Sequence, residues 1–345
     1  MSRRTAILTM DGGGPNNVLT TILLQRIEDA RPGFLDRLDV VSGVSAGSIT
    51  ALILGTMENR HMAMQEASRV MNNMDSIFAT DNLLLHAAVG LTGQRAFLSN
   101  ENPWKFFTEY FQGKRLGDLK LDTVIPAMAL DTGVVGTTSR RWRPVLMHNL
   151  KGVRHPAPDV LLVDALLRSA APPILMPVYQ GFIDGGVFAD NPAMAALTLV
   201  LERFRHEKPH GARQSHGLEN VMLLSMGAGE MPMYLETTQP SENWGYGKWL
   251  LDPHAPLAAL QATFSGSQDI VDLQCRAILE ADQYFRLNPI YRQPVSSRVQ
   301  VGQHERVSIE DVARETDLTH VLHWLDKAGW THPPGATTEP TRVIV

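Results

Sequence analysis

The chain has 345 residues, of which 44% are hydrophobic and 19% charged, and its formal net charge is −5. That balance excludes a disordered or fibrous chain. The acidic sign, with no long Lys/Arg block, excludes a linear nucleic-acid-binding face and weighs against strong attraction to anionic membranes.

Thr5 to Met10 is a short apolar run and reads as a first buried strand. Arg3 and Arg4 precede it as in a signal peptide, but Asp11 ends the run too early for one. No stretch nears the roughly eighteen uninterrupted apolar residues of a membrane span. Asp11-Gly12-Gly13-Gly14 follows the strand, and a helix is expected from Val18 to Ala30 with Asn17 as its N-cap. Leu38 to Ser42 is a second strand. It breaks at Gly43-Val44-Ser45-Ala46-Gly47, and a helix runs from Ser48 to about Met57. Strand, glycine turn and helix, twice in succession, is the pattern of a parallel α/β sheet.

His61 to Gly93 is rich in Met and Leu, most apolar at Leu83 to Val89, and is assigned either to core packing or to a lipid-facing cap, with core packing favoured for the Met positions. Trp244 and Trp249 divide evenly between the same two roles. Further strands are expected at Thr123 to Leu130, Tyr179 to Ile183 and Val221 to Met226, and helical spacing at Ala255 to Ala281. Ser308 caps a late helix, and Leu318, Val321, Leu322 and Leu325 lie on a closing one. One domain is expected over 1–330, and a Pro- and Thr-rich mobile tail over 331–345. The lone Cys275 can form neither an intramolecular disulfide nor a cysteine zinc site, and fits a reducing compartment.

Three motifs carry chemistry. Gly43 to Gly47 is a tight strand-to-helix turn that holds the Ser45 hydroxyl out at the sheet end. There the positive end of the following helix favours an alkoxide. Asp11 to Gly14 exposes successive backbone N–H groups, as an oxyanion hole requires. Asp184, followed by Gly185 and Gly186, is an aspartate at a strand end that partial burial turns into a base for serine. Taken singly, each also fits a plain turn, and the glycine run a phosphate turn, although neither G-x-G-x-x-G nor a P-loop is present. Histidine is the commoner base, and twelve are present. Yet only 44 residues precede Ser45, too few for the sheet that an α/β-hydrolase builds before its nucleophile.

In their order the three motifs resemble those of the patatin-like phospholipases. Supporting segments match as well: Arg168 to Pro173 before the aspartate, Asn191-Pro192 after it, Leu224 to Gly229, and Tyr284 to Pro289. The resemblance implies a three-layer α/β/α sandwich with a mostly parallel central sheet. It implies a lipid acyl-ester hydrolase of phospholipase A or lysophospholipase type working through an acyl-enzyme on a Ser45–Asp184 dyad. The N–H groups of Gly12, Gly13, Gly14 and Ala46 then hold the oxyanion, and Asp11, Gly43, Gly47, Gly185 and Gly186 support the motifs. No metal and no cofactor are implied. The expected partner is a lipid or lysolipid in a cytoplasmic setting that allows peripheral membrane contact; no nucleic acid is expected, and the oligomeric state is left open. An acyltransferase with the same dyad and an inactive lipid- or partner-binding module are the alternatives. One departure stands out: where the family continues Gly-x-Arg-Gly, this chain has Asn16 and Asn17 at the arginine and glycine positions.

Overall fold

A computed structural model describes residues 3–79, 95–133, 139–206, 217–230, 232–238, 240–291 and 308–331. Its strands are β1 (Thr5–Met10), β2 (Val40–Gly43), β3 (Asp122–Ala129), β4 (Arg143–His148), β5 (Phe182–Asp184), β6 (Val221–Met226) and β7 (Tyr284–Leu287). They form one seven-stranded sheet in the order β4-β3-β2-β1-β6-β7, with β5 added beside β3. From β3 through β7 every neighbouring pair is parallel, whereas β4 and β5 run antiparallel to β3.

Helices cover both faces, which is why β1 and β6 read as unbroken apolar runs rather than alternating ones. Ala6, Leu8 and Met10 face one core with Met222, Leu224 and Met226, while Ile7 faces the other with Val221 and Leu223. The first core is roofed by α1 (Asn17–Ala30), α2 (Ala46–Thr56), α3 (Arg60–Asn72) and the helices Glu101–Phe111, Leu162–Ser169, Ile309–Glu315 and Thr319–Ala328. Ala193–His206 and Ala258–Ile278 roof the second. This is the expected three-layer α/β/α sandwich.

The placement of β5 decides where the site forms. β2 pairs with β3 over Asp122–Val124, β5 pairs with it over Ala127–Ala129, and β4 pairs with it over Val124–Ala129. A strand has two hydrogen-bonding edges, so with β4 along one, β2 and β5 lie end to end along the other. Asp184, opposite Ala127, is thereby brought next to the end of β2, where the chain turns into Ser45.

Several expectations need correction. Asn17 does not cap α1; it opens the helix, and Asn16 precedes it without a side-chain cap bond. The strand expected from Tyr179 begins at Phe182, because Gln180 (φ 50°) and Gly181 (φ 81°) make a tight hairpin turn between the paired Tyr179 and Phe182. β4 and the helices Glu101–Phe111, Leu162–Ser169 and Ala193–His206 were not anticipated. In α3, Met64 and Met71 are core residues beside Ala63, Ala67 and Val70, as favoured, whereas Met62 is exposed. Leu83 to Val89 and 332–345 lie outside the described residues.

Candidate active site

Ser45 sits where β2 turns into α2, with φ 52° and ψ −128°. A positive φ is uncommon for a side chain of this kind and persists only when the surroundings hold it. The Ser45 N–H donates to Ser169 Oγ (3.1 Å), and the Ser45 carbonyl accepts from the Ser48 N–H (3.0 Å) and Ser48 Oγ (2.5 Å). The flanking glycines have a steric cause. A Cβ on Gly43 would lie 2.2 Å from the Gly47 carbonyl oxygen, and one on Gly47 would lie 2.5 Å from that of Asp11. The turn folds back on itself and onto the end of β1, so only hydrogen fits at either position. Ala46, the first residue of α2, gives its N–H to no acceptor among the described residues.

Asp184 is fully buried. Its own N–H donates to the Ala171 carbonyl (2.9 Å), and the Gly185 N–H donates to the Ser169 carbonyl (3.3 Å). Ser169 therefore joins the two chemical loops, one through its hydroxyl and the other through its carbonyl. Asp184 Oδ1 accepts from the Gly186 N–H (2.7 Å), while Oδ2 is buried without a hydrogen bond of standard geometry. Burial lifts this carboxyl to about 7, offset only in part by the Gly186 N–H and then by the Ser45 hydroxyl beside it.

The glycine loop packs against Asp190 and the Ser45 side chain. Gly12 is the point of closest approach: a Cβ there would lie 2.1 Å from Asp190 Oδ1 and 3.3 Å from Ser45 Cβ. Its N–H is already donated to the Asp190 carbonyl (3.1 Å), so the expectation that Gly12 supplies an oxyanion donor is corrected. Gly13 and Gly14 donate to no acceptor among the described residues. Asn17, next to Gly13, is buried with neither amide atom partnered. Asn16 and Asn17 thus leave the loop without the positive charge that an arginine would bring.

Asp190 and Gln268, which neither the motifs nor the supporting segments named, complete the surroundings together with Asp11 and Arg286. Asp190 is buried and held well above the usual carboxylate range, by burial first and then by Asp11 and Asp184. Its Oδ2 accepts from Gln268 Nε2 (2.6 Å), and its Oδ1 has no partner. Asp11, also buried, is raised to about 6 by burial despite Arg286, whose Nη2 lies 2.6 Å from Asp11 Oδ2. Arg286 Nη1 donates to Ser225 Oγ (2.9 Å), which lies 3.3 Å from Asn191 Oδ1. The Leu224, Asn191 and Tyr284 segments read from the sequence therefore converge beside the Asp11 end of the glycine loop as a polar support. Among the described residues no His, Cys, Asp or Glu group has metal-holding geometry. Trp249 is 40% exposed and packs edge-on against Trp244 with ring centroids 5.4 Å apart, outside the contacts just described.

The family model for patatin-like phospholipase matches residues 8–197, more than half of the chain and all three motifs. The chain belongs to the patatin-like phospholipase family. Among relatives of this patatin-like chain, protein teg of Priestia megaterium is 30% identical over 308 residues, covering 82% of this chain and 87% of that one. Patatin-like protein 2 of Arabidopsis thaliana is 22% identical over 302 residues, covering 80% and 72% respectively. Of solved structures, ExoU from the type III secretion system of Pseudomonas aeruginosa matches with TM-score 0.32 and 16% identity over 81% of this chain and 53% of that one. VipD from Legionella pneumophila matches with TM-score 0.33 and 12% identity over 69% and 51%. The patatin-like chain spans about half the length of those two solved chains. Among its described residues no helix is long and apolar enough to cross a membrane.

Proposed function

We propose that this protein is a serine-dependent lipid acyl-ester hydrolase of phospholipase A or lysophospholipase type, acting through an acyl-enzyme on a Ser45–Asp184 dyad. One observation carries the reading: a fully buried carboxyl with a free oxygen, raised to about 7, has the Ser45 hydroxyl beside it at the N-terminus of α2. A base is most useful when its pKa lies near the working pH.

In the first half-reaction Asp184 takes the hydroxyl proton as Ser45 Oγ bonds to the ester carbonyl carbon. The bond to the leaving alcohol then breaks, and Asp184 returns the proton to that alcohol. In the second half-reaction water gives a proton to Asp184 as it attacks the acyl-serine, the Ser45 oxygen leaves and is reprotonated, and a fatty acid departs. The undonated N–H groups of Gly13, Gly14 and Ala46 hold the oxygen on which negative charge develops. No histidine and no metal enters a step.

The test is direct. A serine-directed fluorophosphonate should label the protein once, at Ser45, and labelling should block fatty-acid release from at least one of phospholipid, lysophospholipid and triacylglycerol. Unlabelled protein with no release from any of the three would overturn the reading. Adding an acceptor alcohol in the same assay reports transfer in place of hydrolysis.

A further inference from the structure

The net charge of −5 conceals a local exception. Residues 140–143 read Arg-Arg-Trp-Arg and lead into β4, and every residue from Ser139 to Pro144 is exposed. Trp142, 74% exposed, is the most open of the tryptophans. Arg140 is engaged by Asp131, through Nε at 3.0 Å and a second, closer guanidinium contact. The guanidinium groups of Arg141 and Arg143 have no carboxylate partner among the described residues. An open concavity of about 450 Å³ is lined by Leu130, Asp131, Arg140, Arg141 and Trp142. A groove of about 930 Å³ runs from Arg143 and Pro144 to Phe182 and Phe188, which flank Asp184 in sequence.

The sheet register fixes where this tip lies. Ala127 pairs with Asp184 on one side and Val145 on the other, and Ala129 pairs with Phe182 and Arg143 in the same way. Arg143 is therefore two strands across and two residues further along than Asp184, a backbone separation of about 12 Å from ordinary strand spacing and rise. Both lie at the end of the sheet where β2 delivers Ser45.

We propose that Arg141, Trp142 and Arg143 form a docking tip for an anionic lipid surface, which sets the Ser45 end of the sheet against the lipid. A guanidinium binds phosphate through two parallel hydrogen bonds, and an indole settles at the boundary between headgroup and acyl chain. The overall negative charge repels such a surface, so attraction is confined to the tip and falls with salt. The proposal rests on the lipid-hydrolase reading for its purpose, but it is tested without turnover.

The full-length Ser45→Ala variant is mixed with phosphatidylcholine vesicles, with and without phosphatidylglycerol, and sedimented. Binding is expected to favour the phosphatidylglycerol vesicles and to weaken as salt is raised. Arg141→Gln with Arg143→Gln should lower it about 30-fold, from the worth of each basic residue near such a surface. Trp142→Ala should lower it several-fold, and the paired Arg→Lys changes should keep most of it. Equal binding by the paired Gln variant overturns the proposal. So does parental binding that ignores salt or phosphatidylglycerol, a reading that needs no variant at the tip, and so does a preference for RNA or polyglutamate over the vesicles. Failure of the lipid-hydrolase reading shows separately, as absence of fatty-acid release by the unmodified protein.

Discussion

Ser45→Ala is expected to lower ester hydrolysis by about 10⁴-fold or more while leaving the cooperative thermal transition in place. In the proposed mechanism removing the oxygen removes the route to an acyl-enzyme, so what would remain is binding and the oxyanion donors. The fold does not depend on that oxygen. The turn is held by the Ser45 backbone, through Ser169 and Ser48, and by the clearance at Gly43 and Gly47. Initial rates on a short-chain ester, with a melting curve on the same sample, decide the matter. A folded variant that keeps most of its activity removes Ser45 from the chemistry.

Asp184→Asn should disable the enzyme about as completely. The amide oxygen can still accept from the Gly186 N–H, so the loop keeps its shape, but an amide cannot take a proton from serine. In the proposed mechanism the carboxylate is the working form, so the rate should climb as pH rises through about 7 and fall away on acidification. A histidine base would give a similar limb, and the comparison that separates the two is alanine substitution at each of the twelve histidines. His148, the buried histidine among the described residues, has a lowered ring pKa and pairs with Val124, three residues along β3 from the partner of Asp184, and its Nε2 lies 3.0 Å from the Arg154 carbonyl oxygen. A folded His→Ala variant as inactive as Ser45→Ala would replace the dyad with a histidine mechanism.

The parts of this protein legible in its sequence were those whose signal is local. β1 and β6 are largely apolar runs, buried throughout except for half-buried Thr5, bounded by turn residues, and their limits agree with the expected ones residue for residue. Gly43 and Gly47 betrayed a close backbone approach before any partner was known. The Ser308 cap, which accepts from the Asp311 N–H at 3.0 Å, needed only the intervening spacing. What escaped depends on distant partners. β4 begins Arg-Pro and is half exposed at an edge, so it lacks the apolar run of a central strand. Asp190 looks like any polar residue beside Asn191-Pro192, and only the folding of Gly12 and Gly186 onto its Oδ1 shows that it faces the site. The fate of the Gly12 N–H was hidden for the same reason, since its acceptor lies 178 residues away in the chain.

The buried carboxyls also link acidity to stability. In the unfolded chain Asp184 and Asp11 ionise near 3.8, whereas in the fold they are raised to about 7 and about 6, and burial holds Asp190 well above the usual carboxylate range as well. The native state therefore binds more protons than the unfolded one between about pH 4 and 7, so folding stability declines as pH rises through that window. At about 1.4 kcal/mol per unit, Asp184 alone accounts for a decline on the order of 4 kcal/mol. Asp131 and Asp252, held at about 2 by their partners, are charged in both states above about pH 5 and do not contribute there. His148, whose ring burial holds below 6.5, opposes the trend as one group against three. Melting temperature should thus rise as pH is lowered from 8 to about 5, and Asp184→Asn should flatten part of the slope; a melting curve indifferent to pH over that range would mean that the carboxyls are not buried as described. On the proposed dyad, the ionisation that arms Asp184 is also the one that loosens the fold, so the protein would be most durable where it is least active and would become competent only by giving up part of its own stability.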